Sequence, residues 1–66
     1  MERGIVKSYS RESGTGTIGR SDSTDLGFSA SRIIGNRNDI HQGDQVWFEV
    51  QTMHNNHIAI NIRKCM

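Results

Sequence analysis

The chain has 66 residues, of which 33% are hydrophobic, and its eight basic and seven acidic side chains leave a net charge of +1. That length allows one domain, residues 1–66, in which folding buries only about 60% of the unfolded surface. The charge balance lacks the strong basic excess common among polyanion-binding domains. The single cysteine, Cys65, rules out an internal disulfide. No secretory-signal pattern is present, and no apolar run approaches the roughly 18 residues of a membrane span. A reducing cytoplasm is therefore the expected compartment, with no membrane contact from this segment.

The first strand is expected over Gly4–Tyr9, with Val6 toward the core, Lys7 displayed, and a bulge at its far end. A polar turn, Ser10–Gly14, leads to a second strand from Thr15 to about Arg20, so the two form a hairpin. Within Ser13–Ile18, a period of two sends Gly14, Gly16 and Ile18 to one face and Ser13, Thr15 and Thr17 to the other. Glycines in alternate strand positions mark a close approach of another group or a sharp bend into a small barrel.

Ser21–Thr24 makes the next turn, and Asp25–Ser29 alternates Leu26 and Phe28 inward with Gly27 and Ser29 outward. Ser31–Ile34 reads as a single helical turn capped by Ser31. Gly35–Asp39 is the most loop-like segment, with Ile40 pinning its end to the core. Gln45–Val50 is the clearest strand, placing Val46, Phe48 and Val50 on one face and Trp47 and Glu49 on the other. After a polar turn at His54–Asn56, a last strand over His57–Arg63 alternates Ile58, Ile60 and Ile62 inward with Ala59, Asn61 and Arg63 outward. Five short strands, polar turns and no proline describe an all-β barrel, of OB or SH3-like type.

No motif implies catalysis: there is no convergent serine, histidine and acid trio and no paired carboxylates, so the chain is read as a non-enzyme without a cofactor. His54 and His57, with His41 and Cys65 elsewhere, fall short of the four organised ligands of a structural zinc site, and no metal is expected. Acids Asp22, Asp25, Asp39 and Asp44 lie at turns and strand edges, whereas Lys7, Arg11, Arg20, Arg63 and Lys64 flank the strands, which leaves room for a local basic face.

In order and spacing these motifs resemble the bacterial cold-shock proteins, which have a five-stranded antiparallel OB-fold barrel. G-I-V-K at Gly4–Lys7 is similar to that family's opening strand. G-T-G-T-I at Gly14–Ile18 is similar to its first ribonucleoprotein motif, G-F-G-F-I, and D-L-G-F-S-A-S at Asp25–Ser31 to its second, D-V-F-V-H-F-S. Gly43–Val50 and Ala59–Arg63 resemble its last two strands. The resemblance implies binding of single-stranded DNA or RNA by bases stacked on aromatic residues of the first three strands. It also implies that Val6, Gly14, Gly16, Ile18, Phe48, Ala59 and Asn61 hold the barrel together.

The stacking positions of the family are small here. Ser8 stands for its tryptophan, Thr15 and Thr17 for the aromatic pair of the first motif, and Gly27, Ser29 and Ala30 for the aromatic and histidine positions of the second. The loop after the third strand carries Asn36, Arg37 and Asn38 in place of an aromatic. The expectation is weak, low-specificity binding of single-stranded nucleic acid by Lys7, Ser8, Tyr9, Arg11, Thr15, Thr17, Ser29 and Arg63. Tyr9 is either a surviving stacking residue or a barrel-edge packer. The alternative is a protein-interaction module that has lost the nucleic-acid platform. Trp47, opposite in parity to Val46 and Phe48, is then the protein contact, or else it closes a small auxiliary core. A monomer is expected, and the family's habit of fusing this domain to others allows the chain to lead a longer protein.

Overall fold

In a computed structural model, residues 1–65 are described, with the side chain of Arg37 left out. Five strands, β1 (Glu2–Ser10), β2 (Thr15–Gly19), β3 (Asp25–Ser29), β4 (Gln45–Met53) and β5 (Asn56–Lys64), close into a barrel in the order β1-β2-β3-β5-β4. Neighbours are antiparallel except β3 and β5, which pair in parallel at Gly27 and Ile58. Among the described residues no helix is long and apolar enough to cross a membrane.

The core follows the apolar alternation of the strands. Val6, Ile18, Leu26, Phe28, Val46 and Phe48 are buried, joined by Ile40 from the loop and by Ala59 and Ile62 from β5. Phe48 fills the centre with no exposed surface. Gly16 is the tightest fit on this face: a Cβ there would lie 2.5 Å from Phe28 Cζ and 2.6 Å from the Ser8 carbonyl. The close approach read from the sequence is therefore the Phe28 ring. Gly14 differs from expectation. It sits in the turn before β2 at φ +73°, donates its N–H to the Ser10 carbonyl at 2.8 Å and accepts from Ala30 N–H at 2.8 Å.

Two bulges break strict alternation, and each reassigns side chains. In β1 an extra residue lies between Val6 and Ser8 opposite Ile18 and Thr17, so Lys7 and Ser8 both face outward and Tyr9 turns inward opposite Gly16. In β5 three steps from Arg63 to Ile60 oppose two from Trp47 to Glu49. Asn61 carries that bulge at φ +51°, a left-handed conformation asparagine tolerates better than most residues. As a result Ala59 and Ile62 are fully buried, and Ile58 and Ile60 are only half-buried on the other side. The inward assignment of Ile58 and Ile60 is thus corrected.

Strands also run longer than their apolar cores suggest: β1 begins at Glu2 and β4 continues to Met53, where a two-residue turn at His54 and Asn55, both at positive φ, starts β5. The helical turn is a 3-10 turn over Ala30–Arg32, capped by Ser29 rather than Ser31, with a second 3-10 turn over Arg37–Asp39 inside the loop.

Candidate nucleic-acid interface

The outer surface of β1, β2 and β3 is built from three rows of cross-strand partners. One row is Ser10, Thr15 and Ser29; the next is Ser8, Thr17 and Gly27; the third is Ile5, Gly19 and Asp25. The first two rows expose hydroxyls, while the inward residues between them, Gly16, Ile18, Leu26 and Phe28, hold the strands flat against the core. The hydroxyls are partly organised among themselves. Ser13 and Thr15 oxygens are 2.9 Å apart, Ser29 and Ser31 oxygens 3.1 Å, and Ser13 N–H donates to Ser10 Oγ at 3.3 Å. Each such oxygen retains free acceptor or donor capacity for a ligand.

Lys7 borders this surface, where its ammonium donates to both carboxylate oxygens of Asp25 at 3.2 Å. It reaches Asp25 by crossing β2 over Gly19, where a Cβ would come within 2.8 Å of Lys7 Cδ. At Gly27 a Cβ would meet no atom within 4 Å.

The remaining predicted residues occupy other places. Tyr9 stacks on Phe28, with centroids 5.6 Å apart and planes at 27°, and its buried hydroxyl finds no partner among the described residues. Of the two roles open to it from sequence, this geometry is that of a barrel-edge packer. Arg11, in the β1–β2 turn, donates from Nη2 to the Asn38 carbonyl at 2.9 Å and meets His41 Nε2 at 2.8 Å. Since arginine has no acceptor, His41 accepts there, which puts its ring proton on Nδ1, 3.8 Å from Asp44 Oδ2. Arg63 pairs in register with Trp47, not with any residue of the hydroxyl rows.

Trp47 is half-buried and covered by Arg3, whose guanidinium carbon lies 5.5 Å from the ring centroid. Histidines are scattered: His57 Nδ1 meets Thr52 Oγ1 at 3.0 Å, and His54 is in the β4–β5 turn. Among the described residues, Asp22 is the one group held clearly away from its ordinary acidity. A hydrogen bond from Thr24 Oγ1 at 2.6 Å, reinforced by Thr24 N–H at 3.1 Å and by the Arg20 charge, lowers its pKa. This fastens the β2–β3 turn rather than the face.

Sequence parity sent Ser13, Thr15, Thr17 and Ser29 to the displayed face, and Ser8 was reached only through the family resemblance. Parity missed Ser10 and Ser31, which extend the same hydroxyl strip, and Gly19, whose lack of a side chain lets Lys7 cross. The period of two carries a signal for Ser10 and Ser31 only once the bulge and the cap are placed.

Residues 2–65 match the family described as the 'Cold-shock' DNA-binding domain. The fold is similar to that of a solved structure titled drosophila Unr CSD456, with a TM-score of 0.83 and 23% identity; the match covers 98% of this chain and 26% of that one. The chain thus spans about a quarter of that relative's length. No curated protein sequence shows significant similarity.

Proposed function

The chain belongs to the cold-shock DNA-binding domain family, which binds nucleic acid and is not catalytic, and on that premise we propose that it binds single-stranded DNA or RNA weakly and with little sequence preference through the outer face of β1, β2 and β3. The observation that carries this reading is the composition of that face. Ser8, Ser10, Thr15, Thr17 and Ser29 line its rows, Lys7 borders them, and no aromatic ring is displayed there. Hydroxyls and a lysine suit phosphate and sugar oxygens, contacts that position a strand without reading its sequence. Base–aromatic stacking contributes about 1–3 kcal/mol per base, so a face without rings holds nucleic acid mainly by charge and hydrogen bonding.

Arg11 adds a cation at the end of the strip, where its tether to Asn38 and His41 keeps it beside the β1–β2 turn. Charge-led binding weakens with salt, by a slope of about −0.7 per neutralised phosphate on a single strand. Fluorescence anisotropy of a labelled oligopyrimidine, followed across a salt series, tests the reading. The expected result is a dissociation constant weaker than micromolar at physiological ionic strength and tightening steeply as salt is removed. A micromolar or tighter complex at physiological salt, or no complex at low salt, overturns it.

A further inference from the structure

Beyond the hydroxyl face, β1 presents Arg3 to β4, and the pairings Arg3 with Trp47 and Trp47 with Arg63 set these three residues in one row across β1, β4 and β5. Trp47 is the chain's single tryptophan. Among the described residues neither arginine has a carboxylate within salt-bridge distance, while Glu2, Asp22, Asp25 and Asp44 are each engaged by Arg20, Lys7, Lys64 or His41. Glu49, in the adjacent row, is held by the Asn61 amide at 3.0 Å. The row therefore sets two arginines without a paired carboxylate around the partly exposed indole, with Glu49 the nearest acid along the same face of β4.

Resting on the nucleic-acid reading above, we propose that the Arg3–Trp47–Arg63 row is a second contact surface for the same single strand, on which a base stacks against the Arg3–Trp47 pair and a phosphate meets Arg63. Bases stack on guanidinium planes as well as on aromatic rings, and an indole beneath the guanidinium holds it ready for this role. Ser8 and Arg3 are both outward residues of β1, about 16 Å apart at strand rise. A strand of the roughly 4–16 nucleotides that one OB fold engages is long enough to reach both positions. The stacking group absent from the hydroxyl face is thus supplied at the other end of the same strand.

Trp47 emission reports on the row without labelling. Titration with oligothymidylate is followed by indole fluorescence and by the backbone amide signals of the whole chain. The expected result is a saturable change in Trp47 emission together with shifts at Arg3, Trp47 and Arg63. Arg63→Gln reduces the salt slope by about 0.7, one phosphate contact. Arg3→Lys keeps the charge but loses the planar group, and weakens binding by on the order of fivefold or more, the loss of one stack. Shifts confined to Thr15, Thr17 and Ser29, with Trp47 emission unchanged, overturn this inference and leave the proposed function standing. No shift at any position removes both. Concentration-dependent self-association that buries Trp47, with no response to oligonucleotide, assigns the row to a protein contact and overturns the inference.

Discussion

Lys7 is tied to Asp25 across an intervening strand, its ammonium 3.2 Å from both carboxylate oxygens, and the pair is possible because Gly19 leaves the path open. Both side chains are about half exposed, so the bridge contributes little to stability, within the 0–1 kcal/mol typical of surface pairs. Its larger effect is on the ligand, since Asp25 occupies the cation that a phosphate would use. Asp25→Asn is expected to leave the unfolding midpoint nearly unchanged and to tighten oligonucleotide binding, with a salt slope steeper by about 0.7. Binding measured across a salt series checks this, and an unchanged or weaker affinity counts against Lys7 as a phosphate contact.

Gly27 and Gly16 predict opposite outcomes for added side chains. A Cβ added at Gly27 would meet no atom within 4 Å, and Gly27→Phe is expected to restore a stacking platform and tighten single-strand binding by about 1–3 kcal/mol. Gly16→Ala meets Phe28 and the Ser8 carbonyl, and is expected to destabilise the fold by about 1–3 kcal/mol through overpacking. Anisotropy titration checks the first and chemical denaturation the second.

Much of this was legible in the residues. Alternation placed Val6, Ile18, Leu26, Phe28, Val46 and Phe48 in the core because each lies in a run with an uninterrupted period of two. It failed at Ile58 and Ile60, where the residue inserted at Asn61 puts them on the opposite face from Ile62. A bulge is fixed by pairing with a neighbouring strand: one was expected at the far end of β1, whereas the alternation of β5 gave no sign of the one at Asn61. The same limit applies to the site. The small displayed side chains were readable as chemistry, whereas the joining of Arg3, Trp47 and Arg63 depends on the register of three strands separated in sequence.

Tyr9→Phe separates packing from contact. The ring stacks on Phe28 and the hydroxyl is buried without a partner among the described residues. Removing that hydroxyl is expected to leave stability equal or raised by up to about 1 kcal/mol, with oligonucleotide affinity unchanged. Loss of affinity in a variant of undiminished stability marks the Tyr9 hydroxyl as a ligand contact instead.

Asp22 gives the β2–β3 turn an acid-sensitive element. Its folded-state pKa lies below the ordinary 3.8, chiefly through the Thr24 hydroxyl. A carboxylate lowered in this way contributes stability above the ordinary value and loses it as pH falls through the folded-state value. Asp22→Ala is expected to lower the unfolding midpoint at neutral pH, and the gap from the parent chain narrows in acid below the folded-state value. Thermal unfolding at the two pH values checks the sign, and a gap that widens in acid contradicts it.

The central claim is that the hydroxyl face of β1, β2 and β3, which displays no aromatic ring, is the working nucleic-acid surface. Its most direct test is the amide map of the chain titrated with short single-stranded DNA and RNA at low and physiological salt. The account predicts fast-exchange shifts at Lys7, Ser8, Thr15, Thr17 and Ser29 that shrink as salt is raised. If those five amides stay in place at low salt while other positions move, the claim is contradicted.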